Sequence, residues 1–286
     1  MQRTMVGFAT LAGLLFAGAA AAQDSAPAPS DAPIRECRRN TDLREGTNGC
    51  NAILKTPSEY LPAGDARRVA LSAVYTDRGR TYLRNGDYTN ALADLDSAVQ
   101  LDPKNSRAFN LRGDLFTAQG DSARALDAYD RAVAANPKDW EAFNQRGNLH
   151  LRMGNPEKAI PDYTKAIAAK PKFVTGFTNR GEAYRLQGQL DRALADLDSA
   201  IALNAKFVMA YIYRGLVHTE KGDYAGAIRD FDEALRVKPN DAHALYNRGI
   251  AKQKAGDAAG ATADLDASMA IDPNIVAQLT AIEIAP

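Results

Sequence analysis

The sequence lacks an excess of charge of either sign. Its 286 residues include 35 Lys and Arg and 35 Asp and Glu, so the formal net charge is zero. A general nucleic-acid binder needs a basic surface that displaces counterions from phosphates. The balance therefore argues against nucleic acid as a partner.

Long apolar runs are scarce as well. The apolar stretch over residues 6–19 follows Arg3 and leads to three alanines that end at Ala22. A short apolar stretch with such an ending is typical of a secretory signal peptide rather than a membrane span. We predict a signal peptide over 1–22 that is cleaved after Ala22, followed by a flexible linker over 23–33. The mature chain should be periplasmic or secreted and have no membrane span.

Cysteine is nearly absent, since Cys37 and Cys50 are the two cysteines of the chain. A structural zinc site needs four ligands, and no histidine lies near this pair. In an oxidising compartment an isolated pair indicates a disulfide. We therefore predict a Cys37–Cys50 bridge inside an N-terminal cap over residues 34–71.

Signatures of the common catalytic classes are missing too. The sequence has no Walker loop, no G-x-S-x-G, no H-E-x-x-H and no dinucleotide fingerprint. Two of its three histidines, His150 and His218, stand at equivalent positions 68 residues apart, where packing is the expected role. We predict that the protein is not an enzyme and needs neither a metal nor a cofactor.

Repetition is what the sequence has in abundance. A glycine preceded by arginine, a second glycine and an alanine each recur every 34 residues without insertion. The first of these glycines are Gly79, Gly113, Gly147, Gly181, Gly215 and Gly249. Self-similarity at this period is the signature of stacked helix–turn–helix units.

The third unit shows how one repeat is expected to fold. A first helix over 140–153 would end at Gly154, in the left-handed conformation that glycine tolerates. Asn155 would then cap a second helix that begins at Pro156. Glycine inside a helix costs about 1 kcal/mol relative to alanine. We interpret the repeated helical glycine, for which Gly249 of the last unit is the example, as the space that lets a bulky residue of the second helix approach the first.

The spacing of these residues resembles that of the tetratricopeptide repeat (TPR) family. In the fifth unit the matching positions are Gly215, Ala227, Phe231, Ala234 and Pro239. The resemblance implies an all-α, right-handed TPR solenoid of six 34-residue helix–turn–helix repeats, with the disulfide-stapled cap at one end and a capping tail over 276–286 at the other. The six repeats span 72–105, 106–139, 140–173, 174–207, 208–241 and 242–275.

An aspartate follows five of the six repeated arginines at a distance of 16 residues, which leads from the first to the second helix of one unit. Because an unpaired buried charge is costly, we predict structural ion pairs within repeats rather than a ligand-binding arginine ladder. The predicted pairs are Arg78–Asp94, Arg146–Asp162, Arg180–Asp196, Arg214–Asp230 and Arg248–Asp264. Arg112 has Ala128 at this distance, although Asp127 and Asp130 flank it.

The resemblance also implies a concave groove, lined by the first helix of each repeat, in which a partner binds. The predicted lining residues are Arg80, Arg84, Asn110, Asp114, Asn144, Asn148, Glu182, Arg185, Met209, Ile212, Leu216, Tyr246 and Ile250. The groove should be polar over four repeats and apolar over the last two. The apolar end would anchor a partner unless the tail, with Ile275, Leu279 and Ile282 facing inward, covers it.

The expected function is that of a non-catalytic scaffold or adaptor of the bacterial cell envelope that binds a protein or peptide in this groove. The alternative is a receptor for a glycan or cell-wall fragment, which would use the polar half of the groove. Self-association through an exposed end of the solenoid is a further open alternative. The sequence does not identify the partner.

Overall fold

A computed structural model describes residues 32–39 and 43–277, and the described chain is all α-helical. Its helices are Ala32–Arg39 (α1), Leu43–Lys55 (α2), Pro57–Tyr60 (α3), Asp65–Arg84 (α4), Tyr88–Leu101 (α5), Ser106–Ala118 (α6), Ser122–Ala135 (α7), Trp140–Arg152 (α8), Pro156–Ala169 (α9), Val174–Leu186 (α10), Leu190–Leu203 (α11), Val208–Glu220 (α12), Tyr224–Val237 (α13), Ala242–Lys254 (α14) and Ala258–Ile271 (α15).

From α4 onward the helices pack in consecutive pairs, and each pair also contacts the next. We call the first helix of each pair the A helix (α4, α6, α8, α10, α12, α14) and the second the B helix (α5, α7, α9, α11, α13, α15). The pairs form six stacked repeats, which confirms the predicted TPR solenoid. The A helices of neighbouring repeats also touch one another, as expected where they line a concave face.

The turn inside each repeat depends on glycine and a cap. Gly154 has φ 73°, a value that side chains disfavour, and it lies between α8 and α9 as predicted. In four repeats an aspartate before the B helix accepts a hydrogen bond from the backbone three residues on, as Asp121 does from Arg124. Asn155 does not cap α9, because its amide donates instead to the carbonyl of Met153. That part of the prediction was wrong.

Glycine in the A helix gives room to a large residue of the B helix. A β-carbon added at Gly147 would lie 2.7 Å from Cε1 of Tyr163, and one at Gly113 would lie 2.3 Å from the same atom of Tyr129. Both tyrosines are fully buried. The close approach that was predicted for this glycine is therefore present, and its packing offsets the helical cost of glycine.

The N-terminal cap contains the predicted disulfide between Cys37 and Cys50, which joins α1 to α2. Both cysteines are buried in one cluster with Ile53 and with Val74 of α4, so the cap covers the open side of the first repeat. Two predicted boundaries shift. Helix α1 already begins at Ala32, inside the expected linker, since Pro33 suits a first helical turn.

The boundary between the cap and the first repeat is also displaced. Helix α4 runs from Asp65, so the expected border at residues 71 and 72 falls inside a helix. The A helix of the first repeat has 20 residues, whereas the other A helices have 13, and its Val74 packs in one cluster with Ile53 of α2.

At the other end, Ile275 is fully buried and begins a helical segment that the structure follows to residue 277. The predicted inward residues Leu279 and Ile282 lie outside the described part of the chain, as does the predicted signal peptide. Among the helices that the structure describes, none combines the length and the apolar character that crossing a bilayer requires.

Candidate functional site

The five predicted arginine–aspartate pairs are each brought together by the crossing of an A helix and its B helix. In each pair the guanidinium donates from Nε and from Nη2 to the two oxygens of the carboxylate, which is the strong bidentate geometry. The N–O separations are 2.7 Å at Arg78–Asp94, 2.6 Å at Arg146–Asp162, 2.7 Å at Arg180–Asp196, 2.6 Å at Arg214–Asp230 and 2.6 Å at Arg248–Asp264.

Each of these arginines has a second partner that the sequence analysis missed. Nη1 of Arg146 reaches Asp130, on the B helix of the preceding repeat, at 2.7 Å. Arg214 and Arg248 do the same with Asp198 and Asp232. For four of the five arginines the second partner lies 16 residues before the arginine, whereas Arg78 donates to Asn51 of the cap. The prediction from sequence considered only the residue 16 positions after each arginine. One guanidinium thus connects three helices, and each of its three nitrogens donates within the protein.

Arg112 is the exception in this ladder. It contacts Asp96 of the preceding repeat at 3.3 Å, but its Nε is buried without a hydrogen-bond partner in the described structure. Neither aspartate that flanks Ala128 takes the missing place. Asp130 binds Arg146 of the next repeat, and Asp127 pairs with Arg131 of its own helix.

Ala128→Asp is expected to complete the ladder and stabilise the protein by about 1–3 kcal/mol, the usual cost of an unsatisfied buried donor. Five equivalent positions already hold aspartate, so the backbone accepts it. The gain would be measured by urea denaturation. Ala128→Asn is the control of equal size, and an equal gain from both variants would contradict the ion-pair explanation.

The predicted groove position three residues before the glycine is not open to a partner. Thr76, Asn110, Asn144, Thr178 and Ile212 all stand at this position and are buried. Ile212, which was expected in an exposed apolar strip, is 3% exposed and packs in one cluster with Ala244 and Leu245 of the next A helix. The stacking of A helices covers this row, so Ile212, Asn110 and Asn144 belong to the interface between repeats.

The position one residue after the glycine carries a polar network in the middle of the array. Asp114 accepts hydrogen bonds from the hydroxyl of Tyr129 at 2.7 Å and from the amide of Gln145 at 3.0 Å. Asn148 accepts from Tyr163 at 2.9 Å and from Asn179 at 2.9 Å. Burial raises the pKa of Asp114, against the lowering effect of those two hydrogen bonds.

Ion pairs flank this network on the same face. Near the N-terminal end, Asp77 pairs with Arg80 at 3.2 Å and with Arg107 at 3.1 Å. In the fourth repeat Glu182 takes a bidentate contact from Arg185, at 2.7 and 2.8 Å. Arg185 also binds Glu220 of the next repeat, and Arg84 is exposed. The predicted charged residues are therefore present on this face, mostly with partners inside the protein.

The last two repeats present apolar residues on the same face, with fewer of them exposed than expected. Met209 is 40% exposed, whereas Leu216, Tyr246 and Ile250 are partly buried. Leu216 packs against the cluster that contains Ile212. The exposed apolar patch is thus small and centred on Met209. The sequence predicted a larger patch, because it did not indicate that the other apolar residues of this face are partly buried.

The position three residues after the glycine holds an aromatic residue in three repeats and a basic one in the others. His218 contacts Asp223 at 3.0 Å and Lys252 contacts Asp264 at 2.8 Å. His150 is partly buried, and its Nδ1 has no hydrogen-bond partner among the described residues. Burial lowers the pKa of His150 below its ordinary value of 6.5, and Arg146 and Lys158 add to this while Asp162 and Asp130 oppose it.

The lowered pKa makes His150 a source of acid sensitivity. Below pH 6.5 the unfolded chain binds a proton at this residue more readily than the folded chain, so stability is lost as the pH falls. His150→Tyr, which restores the aromatic type of Tyr184, is expected to flatten the decline in Tm between about pH 7.5 and pH 5.5. His243→Tyr, at an exposed position, should leave the slope unchanged. An unaltered slope in the His150 variant would contradict the expectation.

Comparison with known families points to one repeat type. Models of the tetratricopeptide repeat match residues 76–139, 113–187 and 175–207, and a TPR repeat model matches residues 215–256. No protein of curated function matches the chain.

Several solved structures share the fold. The structure of PilW, a widely conserved type IV pilus biogenesis factor, is 25% identical, covers 71% of this chain and 94% of its own, and superposes with a TM-score of 0.64. A tetratricopeptide repeat protein from Parabacteroides merdae is 20% identical over 88% of this chain and 99% of its own, with a TM-score of 0.61. YrrB, a TPR protein with an unusual peptide-binding site, is 22% identical over 66% and 98%, with a TM-score of 0.52.

Proposed function

Because the chain belongs to the tetratricopeptide repeat family, we propose that it is a non-catalytic scaffold whose concave A-helix face binds a protein or peptide partner. One observation carries the proposal. The residue directly after the repeated glycine differs in every unit, although that glycine, the arginine before it and the alanine 12 residues after it recur in all six. In chain order it is Arg80, Asp114, Asn148, Glu182, Leu216 and Ile250.

This variation lies on one surface. Glycine, alanine and the arginine–aspartate pairs repeat because each solves the same packing problem in each unit. Residues that the fold does not require to be alike are available to recognise a partner. Such a row of different side chains presents six different subsites along one groove, as is suited to an extended peptide or a protein surface.

The similar proteins support a binding role. YrrB is a TPR protein with an unusual peptide-binding site, and PilW is a type IV pilus biogenesis factor. We further propose that the protein is exported to the bacterial cell envelope. The Cys37–Cys50 disulfide supports this, since such bonds persist in oxidising compartments.

The glycan receptor is the weaker alternative. It would use the asparagines and charges of repeats two to four, but among these Asn179 already donates hydrogen bonds to Asn144 and Asn148. A sugar would have to replace these contacts, whereas a peptide can use exposed side chains beside them. We therefore favour a peptide or protein as the partner.

Site-specific photo-crosslinking in the producing cells tests the proposal. A benzophenone amino acid would replace Met209 and, separately, Glu141, two exposed residues six positions before the glycine on A helices. The controls replace Arg131 and Lys165, which are exposed on B helices. We expect a discrete protein adduct from the A-helix positions and none from the controls. Adducts from the B-helix positions alone would overturn the proposed groove.

A further inference from the structure

A hollow of about 200 Å³ lies at the edge of the A-helix face, where the second and third repeats meet. It is lined by Thr117 from the end of α6, Ser122 from the start of α7, and Leu149, Arg152 and Met153 from the end of α8. We call it the Arg152 hollow. It lies beside the polar network, because Thr117 is 3.4 Å from the hydroxyl of Tyr129.

Arg152 differs from the other arginines of this face. Arg80, Arg107 and Arg185 each have a carboxylate partner, but Arg152 forms no ion pair within the described chain. Its charge does reach the network, since it lowers the pKa of both Asp114 and Tyr129 against the larger, opposite effect of burial. Asp114 is nevertheless satisfied by Tyr129 and Gln145. The exposed guanidinium therefore keeps donors for a ligand.

The walls of the hollow define what that ligand would be. Arg152 and the hydroxyl of Ser122 are hydrogen-bond donors at one place, which suits a carboxylate. Leu149 and the exposed side chain of Met153 are apolar and suit methylene groups. A carboxylate on a short aliphatic stem has both parts.

We propose that the Arg152 hollow binds a glutamate side chain of the peptide held in the groove. This inference rests on the proposed function and adds the chemistry of the partner. Aspartate has one methylene fewer, so it contacts Leu149 and Met153 less and binds more weakly. The neighbouring carboxylate of Asp114 would repel an anionic side chain when it is ionised, but burial opposes its ionisation and so weakens this repulsion.

Selection from a random peptide library displayed on phage tests the proposal with the full mature protein as bait. Three baits are compared: wild type, Arg152→Gln, and Arg131→Gln as a control that removes one exposed positive charge elsewhere. Circular dichroism and Tm would establish that all three are folded. We expect glutamate to be enriched over aspartate and glutamine at one position with wild type and with the control, and not with Arg152→Gln.

A selected peptide then allows a double-mutant cycle between its glutamate and Arg152. Replacing its glutamate by glutamine should weaken binding to wild type about fivefold and leave binding to Arg152→Gln unchanged, as expected for a partly exposed ion pair. Peptides without an acidic position, or a glutamate preference that survives Arg152→Gln, would overturn the inference and leave the scaffold intact. If no bait enriches any peptide and the A-helix crosslinks are also absent, the proposed function fails and the inference fails with it.

Discussion

Arg180→Met is expected to lower the free energy of unfolding by about 3 kcal/mol, because it leaves the carboxylate of Asp196 buried without its counter-ion. That side chain is 9% exposed and takes both of its close hydrogen bonds from Arg180, at 2.7 and 2.8 Å. The estimate stands at the lower end for a broken buried pair, since the guanidinium is itself partly exposed. Urea denaturation followed by circular dichroism would measure the loss.

Two further variants make the result specific. Arg131→Met removes an exposed partner of Asp127 and should change stability by less than about 0.5 kcal/mol. Arg180→Met combined with Asp196→Ala should recover much of the loss, because the second repeat already holds alanine at this position as Ala128. Unchanged stability in Arg180→Met would show that the ladder is not structural and would reopen a ligand-binding role for it.

Tyr163→Ala is expected to cost about 3–5 kcal/mol, the usual effect of emptying a large, fully buried aromatic site. The side chain fills the space over Gly147 and its hydroxyl donates to Asn148 at 2.9 Å. Tyr163→Phe keeps the packing and removes that hydrogen bond, so it should cost only about 1 kcal/mol.

The effect of Gly147→Ala on stability is expected to change sign when Tyr163 is removed. In the wild type, Gly147→Ala should destabilise, because its β-carbon would lie 2.7 Å from the ring of Tyr163. In the Tyr163→Ala background the ring is gone, and Gly147→Ala should stabilise by about 1 kcal/mol through helix propensity alone. The cycle would be followed by urea denaturation. The same sign in both backgrounds would show that close packing is not the reason for glycine at this position.

The regular part of the fold could be predicted from the sequence because it depends on spacing along the chain. A period of 34 fixes which residues of one helix pair face each other, so Arg180 and Asp196 were predicted to pair. The helical glycine was likewise predicted to face a bulky residue, which at Gly147 is Tyr163. The disulfide could be predicted because the chain has two cysteines and because the predicted signal peptide implies an oxidising compartment. These features are local or internal to one repeat.

Features that depend on how repeats stack were harder to predict. The contact between Arg146 and Asp130 depends on the angle between neighbouring repeats, and the length of the repeat does not determine that angle. The same angle brings Leu245 over Ile212, so a residue that was expected at the groove surface is buried. The Arg152 hollow was missed for a similar reason, since its walls come from α6, α7 and α8, in two different repeats.

The ladder also has a mechanical consequence. Where the third and fourth repeats meet, Thr164 takes the place of the aspartate, and Arg180 donates to its hydroxyl at 3.0 Å. On the A-helix side this joint is held by amides, through Asn179 and Asn144. The joints on either side of it are held by ion pairs at Asp130 and Asp198, which are exposed enough for salt to screen. Treated as an elastic rod, the solenoid therefore has a middle joint whose bending stiffness does not change with ionic strength. Because added salt weakens the ion pairs of the neighbouring joints, bending shifts from the centre of the array to those joints.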